Sequence, residues 1–154
     1  RHGGLKKGEQ QIEGINSRLD GMQAAILNVK LPHLPAWTDL RRKAAPCYLD
    51  TLGNYHGAVL PQIGPVCGPV WHLFVVRAKD RAGLAAPLKT RGVQTVVNYP
   101  RALPFLPCYS PMGAAPEDFP NSYELQNTCL SLPIFPEITE AQIDQVVAAL
   151  KDWS

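Results

Sequence analysis

The order of apolar patterns along the chain predicts an α/β fold, an α+β sandwich in which a small sheet packs against helices. Three observations carry that reading. Apolar residues step by three and four positions through residues 19–52 and again through 143–153, the period of a helix with one buried face. Two short β-branched stretches, 70–77 and 93–97, lie between those helical regions. The chain has 154 residues, 45% of them hydrophobic, which suffices for one domain with one core.

The first sixteen residues are polar and glycine-rich (Gly3, Gly4, Gly8, Gly14). Such a stretch has little to bury and reads as an extended arm or loop. A helix starts at Asp20, with Leu19, Met22, Ala25, Ile26 and Val29 on one stripe. Pro32 and Pro35 interrupt it, because an interior proline loses a hydrogen bond and clashes with the preceding turn. The pattern resumes at Trp37, Leu40, Ala44, Tyr48 and Leu52, and Gly53 is expected as a left-handed cap. Residues 55–69 read as loop with one short strand.

Residues 70–77 (VWHLFVVR) are the strongest strand segment, aromatic and β-branched throughout. Asp80 is placed to cap a helix running to Thr90, with Gly92 just past its end and Pro87 disturbing its interior. Residues 93–97 (VQTVV) form the second strand. Residues 100–119 are proline-dense and aperiodic, the mark of an irregular functional loop. Residues 120–129 fit a short helix, with Leu125, Cys129 and Leu132 spaced four and three apart. The last helix opens on a capping box, Thr139 with Gln142. Its stripe is Ile143, Val146, Val147, Leu150 and Trp153.

Lys and Arg number 15 against 13 Asp and Glu, a formal charge of +2. That balance speaks against a nucleic-acid or membrane-surface partner. No apolar run reaches the roughly 18 residues of a membrane span. Cys47, Cys67, Cys108 and Cys129 are scattered without the paired spacing of a zinc site, so no metal is expected. Reduced thiols and a cytoplasmic location follow as the default. Charged residues are only 18% of the chain. A thinly charged surface suggests that part of it is covered by something else.

Four ordered blocks resemble the C-terminal part of the DegT/DnrJ/EryC1/StrS aminotransferases. The first is His2-Gly3-Gly4 followed by Gly14-Ile15-Asn16-Ser17-Arg18-Leu19-Asp20 and Gln23-Ala24-Ala25. The second is Arg41, Ala45 and Tyr48, then His72-Leu73-Phe74-Val75-Val76-Arg77. The third is Leu88 and Gly92 to Thr95, leading into Asn98-Tyr99-Pro100. The fourth is Phe119-Pro120 and Leu130-Ser131-Leu132-Pro133, with Pro136, Thr139 and Gln142 beyond. The resemblance implies the small domain of a pyridoxal-phosphate (PLP) enzyme of fold type I. Such an enzyme moves an amino group from glutamate to a nucleotide-linked keto-sugar. It also implies residues 1–18 as an arm reaching the interface of a homodimer, and 19–154 as the small domain.

The same resemblance places the lysine that anchors PLP in a large domain preceding this segment. Lys6, Lys7, Lys30, Lys43, Lys79, Lys89 and Lys151 lie in none of that context, so this chain alone is expected to be a fragment that does not transaminate. A standalone interaction domain and a dehydratase on the same scaffold are the rival readings.

Each candidate residue has a plain reading beside its functional one. Asn16, by its chemistry alone, is a loop amide capping a helix. The resemblance makes it a donor to the PLP phosphate of the other subunit, where a helix start already favours an anion. Arg18 either grips a phosphate or carboxylate through its planar fork or pairs with Asp20 or Glu13. His72 reads as a core histidine within a strand, and the resemblance puts it near the active-site rim. Asn98 and Tyr99 are implied to line the sugar end of the site. Many relatives carry His where Asn98 stands, a second His is missing from 103–106, and Tyr123 replaces a frequent Glu. In the arm, Gly8-Glu9-Gln10-Gln11 replaces a common aromatic residue and histidine.

Overall fold

A computed structural model describes residues 3–16 and 18–153, so His2 and Ser17 of the first block lie outside the described residues. The segment 3–16 is followed by helix α1, Gly21–Lys30, whose start is capped by Asp20: its carboxylate accepts the Gln23 N–H at 2.8 Å. Pro32 turns the chain through one 3-10 turn, Leu31–His33, and α2 follows as Leu34–Leu52. Pro46 sits inside α2. It removes its own N–H from the ladder, yet the helix continues because Ala44, Ala45, Tyr48 and Leu52 are buried along one face. Gly53 ends α2 with φ −52°, right-handed and not the expected left-handed cap.

The sheet has two strands, β1 (Phe74–Arg77) and β2 (Cys129–Leu132), antiparallel with Phe74 opposite Leu132 and Arg77 opposite Cys129. The predicted strand at 70–77 therefore loses its first half. Trp71 has φ +50°, which breaks an extended path. One Arg41 Nη1 donates to the carbonyls of Trp71 (3.3 Å), His72 (3.4 Å) and Ile134 (2.8 Å). Those carbonyls face a guanidinium where a longer strand would face a neighbour. His72 consequently precedes β1 and is exposed, not a core residue in mid-strand.

The predicted strand at 93–97 shrinks to one bridge, Val96 with Ser131. The Val93 N–H is already spent on the Leu88 carbonyl (2.9 Å), and Pro100 follows too soon for a ladder to grow. On the other side Val59 bridges Arg77, so the lateral order is Val59, β1, β2, Val96. The sequence pattern does not predict β2, and places its first residue, Cys129, at the end of a helix. All four of its residues are buried, so no alternation marks it.

The remaining elements match their sequence signals. Helix α3, Arg81–Thr90, is capped by Asp80 accepting the Gly83 N–H at 2.8 Å, and Gly92 beyond its end has φ +76°. Residues 100–119 form three 3-10 turns, Leu103–Phe105, Pro107–Met112 and Pro116–Asp118, joined by irregular chain. Helix α4 is Pro120–Thr128, and α5 is Glu140–Lys151 with the Thr139/Gln142 capping box in place.

Helix α5 packs against both α2 and α3, and the core lies between these helices and one face of the sheet. Phe74 is fully buried there against Tyr48 (ring centroids 4.8 Å apart) and Trp71 (5.4 Å). On α5 the predicted stripe is buried at Ile143, Val146, Val147 and Leu150, while Trp153 is half-buried. Helix α1 is different. It buries no residue: Met22 is 78% and Ile26 52% exposed.

Two expectations come from this packing. Tyr48 donates its hydroxyl to the Pro133 carbonyl at 2.8 Å, and burial pushes its phenol above the usual tyrosine range. Tyr48→Phe orphans that carbonyl and should cost about 1–3 kcal/mol in urea unfolding at neutral pH. Because the folded state favours the neutral phenol, its contribution is complete below about pH 10 and is lost as pH rises above that value. The variant should therefore show a flatter alkaline loss of stability than the parent. Second, the bare α1 face should make the chain self-associate or bind hydrophobic dye. Replacing Met22 with Lys and Ile26 with Glu should cut dye fluorescence by roughly half or more, since patches of this kind are what such dyes report.

Candidate functional site

The segment before α1 folds back on itself and docks onto the loop that follows Val96. Gly3, at φ +81°, offers its carbonyl to the N–H groups of Gln11 (3.0 Å) and Ile12 (3.3 Å), closing the arm. Gly8 is buried at φ +82° with Pro100 directly beneath; a Cβ there would stand 2.7 Å from the proline Cγ. Only glycine serves both conditions. The Gln10 carbonyl accepts the Cys108 N–H at 2.9 Å. Further along, the Glu13 carboxylate lies beside Tyr109 and pushes the phenol's pKa up.

Lys7 reaches the two residues expected at the sugar end. Its ammonium donates to Asn98 Oδ1 and lies 4.9 Å from the centre of the Tyr99 ring. An ammonium over an aromatic face is attracted by the ring quadrupole. The Asn98 amide in turn contacts Ser131 Oγ at 3.5 Å, and Ser131 is the one polar residue buried in β2. A polar path thus runs from the arm through the loop into the sheet. The Asn98–Tyr99 peptide is cis.

Below this contact lies an open pocket of about 470 Å³, walled by Leu103, Leu106 and Leu125, floored by Cys129, and edged by Gln10, Asn98, Tyr99 and Arg101. Gln126 holds its far side in place. Its Oε1 accepts the Ala102 N–H at 2.8 Å, while its own carbonyl accepts from Arg81 at 2.6 Å. Phe105 ties the loop to α4 by edge-on contacts with Phe119 (6.4 Å) and Tyr123 (5.4 Å). Burial pushes the Cys129 thiol up, against the opposing pull of Arg77 and Arg81. A protonated thiol is a poor nucleophile. The pocket is equipped to bind and orient a ligand; its own groups form no acid–base pair.

The other candidates stand elsewhere. Asn16 and Arg18 are exposed on the approach to α1, and neither lines the pocket. The Asn16 Oδ1 accepts the Arg18 backbone N–H at 3.0 Å, leaving its amide nitrogen without a partner among the described residues. Arg18 has φ +66° and, among the described residues, pairs with neither Asp20 nor Glu13. The Asp20 carboxylate caps α1, and that of Glu13 lies beside Tyr109. His72 is also outside the pocket. The structure therefore joins Asn98 with Tyr99 and leaves Asn16, Arg18 and His72 apart from them. Sequence reasoning missed Lys7, Gln10, Arg101 and Gln126. The replacement of the arm's usual aromatic residue and histidine by residues 8–11 was the one signal pointing there.

The profile of the DegT/DnrJ/EryC1/StrS aminotransferase family matches residues 1–151, nearly the whole chain. The chain belongs to this family. It is 39% identical over 150 residues to the erythromycin biosynthesis sensory transduction protein EryC1 of Saccharopolyspora erythraea, covering 97% of this chain and 41% of that protein. It is 37% identical over 155 residues to a dTDP-3-amino-3,4,6-trideoxy-alpha-D-glucose transaminase of Streptomyces venezuelae, covering 99% of this chain and 40% of the relative. A UDP-2-acetamido-2-deoxy-3-oxo-D-glucuronate aminotransferase of Pseudomonas aeruginosa is 34% identical over 150 residues, covering 97% of this chain and 41% of that enzyme. Among solved structures, DesV of S. venezuelae superposes with a TM-score of 0.83 at 36% identity, over 99% of this chain and 41% of that one.

The chain thus spans about 40% of the length of the curated relatives it matches. DegT/DnrJ/EryC1/StrS aminotransferases are in general PLP-dependent. No helix among the described residues is long and apolar enough to cross a membrane.

The docking of the arm can be tested at Gly8. Alanine at a left-handed position costs about 1–2 kcal/mol, before any clash with Pro100. Gly8→Ala should speed hydrogen exchange at the Cys108 amide by roughly five-fold or more. The urea midpoint should stay in place, because the arm lies outside the core.

Proposed function

We propose that this chain is the C-terminal small domain, with its preceding arm, of a cytoplasmic PLP-dependent nucleotide-sugar aminotransferase that takes its amino group from glutamate. The observation that carries the reading is the end-to-end family match, in which Asn16, Arg18 and Tyr99 are exposed and Asn98 half-buried. The relatives named above include enzymes of dTDP- and UDP-linked sugars, which supports a nucleoside diphosphate sugar as the substrate class.

The residues present fit the cofactor's phosphate. Asn16 keeps an amide N–H₂ free to donate, and Arg18 is an exposed guanidinium without a carboxylate partner among the described residues. An uncharged donor beside a planar cation suits a phosphate dianion. PLP, when bound, supplies the electron sink through which an amino group is exchanged. In this reading Asn16 and Arg18 hold its phosphate, while Asn98, Tyr99 and His72 contact the sugar substrate. Asn98 contacts it with an amide where a histidine would titrate, so this position offers the same hydrogen bonds at every working pH.

A second copy of the protein is the partner. Asn16 and Arg18 do not line the Asn98–Tyr99 pocket of their own chain, which supports their serving the site of the other subunit. The bare face of α1 supplies apolar area for that contact.

Asn16→Ala in the full-length protein carrying this chain removes one bond to a charged acceptor, worth roughly 1.5–3 kcal/mol or about 10- to 150-fold in PLP affinity. Excess PLP should restore most of the activity. In a mixed dimer, an Asn16→Ala subunit is paired with one lacking the PLP-anchoring lysine. Both defects should then fall in one site and leave the other intact. A hybrid with no intact site places Asn16 within its own subunit and ends the cross-interface assignment.

A further inference from the structure

We propose that the arm is a flap latched over the pocket through Lys7, and that a ligand of Asn98 and Tyr99 must break that latch to bind. The proposal rests on the reading above that gives those two residues to the sugar substrate, and adds the group that competes for them. The flap holds its own shape. The Gly3 carbonyl accepts the N–H groups of Gln11 (3.0 Å) and Ile12 (3.3 Å), and the Lys6 carbonyl accepts that of Glu9 (3.2 Å). Lys6 also pairs with the Glu9 carboxylate at 3.7 Å. Residues 13–16, which lead away from this loop, are all exposed. A closed loop on an exposed tether swings as one piece, since little packing has to break.

Its seat on the domain is narrow. The Gln10 carbonyl accepts the Cys108 N–H at 2.9 Å, and Gly8 rests on the Pro100 ring. Lys7 spans Asn98 Oδ1 and the face of Tyr99, 4.9 Å from the ring centre. One atom opposes the closed form: Gln10 Oε1 is buried in it with no hydrogen-bond partner among the described residues. Swinging out returns that oxygen to water, which supplies the missing donor. The closed flap is therefore near balance, and Lys7 tips it. Lys7 is exposed, and its two contacts together make a hold worth about five- to ten-fold in the closing equilibrium. Gly8 and Gln10 both line the pocket, so the flap is part of its wall. With the latch made, the Asn98 oxygen and one face of Tyr99 are engaged by an ammonium. A ligand that uses them displaces it, so binding is coupled to opening.

Amide exchange, read residue by residue by NMR on the 154-residue chain, tests the flap without any ligand. Lys7→Met keeps the stem and removes the charge. It should speed exchange at Cys108 about three- to ten-fold and leave Gln11 and Ile12 unchanged, because their bonds lie within the moving piece. Asn98→Asp gives the ammonium a carboxylate and should slow Cys108 about two- to five-fold, but only while Lys7 is present. Gln10→Met removes the buried acceptor and should slow it as well. Lys7 is exposed, so Lys7→Met should keep the parent's circular dichroism spectrum and urea midpoint. A Cys108 rate unmoved by Lys7→Met, or faster exchange at Gln11 and Ile12 beside it, overturns the flap. The full-length protein carrying this chain is then titrated with UDP-N-acetylglucosamine and dTDP-glucose. Whichever binds the parent should bind Lys7→Met about three- to ten-fold more tightly. Equal or weaker binding by the variant overturns the latch. If neither sugar binds while the exchange pattern holds, the flap stands and the nucleotide-sugar reading falls.

Discussion

Two side chains of one helix hold the end of the sheet where β1 begins and β2 finishes. Arg41 and Tyr48 lie seven residues apart on α2, two turns along the same face. Arg41 gathers the carbonyls of Trp71, His72 and Ile134, and Tyr48 donates to Pro133. The first two carbonyls precede β1 and the other two follow β2, so α2 sets where one strand enters and where the other leaves. An interior carbonyl must find a donor, and here the donors are side chains of a single rigid element. Strand length, the outward turn of His72 and the burial of Phe74 against Tyr48 all depend on that arrangement.

The candidate site is attached to this frame by polar contacts and not by core packing. Ser131, buried in β2, meets Asn98; Asn98 meets Lys7; and Lys7 belongs to the arm. Loop and arm therefore inherit their position from the middle of the sheet, while the leucines of the pocket wall come from the proline-rich turns and α4. A binding surface built this way combines a fixed base with a rim whose contacts open at little cost to the fold.

Where local chemistry decides an element, the sequence shows it plainly. Asp20, Asp80 and Thr139 cap the helices expected of them, and the α5 stripe is buried as its spacing implies. The failures fall where distant groups decide. Nothing near 70–73 announces that Arg41 will claim the carbonyls there, and β2 is too short and too fully buried to alternate. Within the site, Asn98 and Tyr99 were legible from the motif that contains them. Gln10 and Lys7 were not, because their roles arise only when a glycine-rich segment folds back across more than ninety residues of chain.

The sheet is also notable for how little edge it leaves open. Beyond its two strands each side carries a single bridge, at Val59 and Val96, and Pro61 and Pro100 follow within a few residues. Proline offers no N–H, and a one-residue bridge gives an incoming strand nothing to extend. Strand-to-strand polymerisation, the route by which exposed sheets build fibrils, therefore has no template here. Contacts between molecules are left to side-chain surfaces, whose geometry can be specific and whose assembly can close.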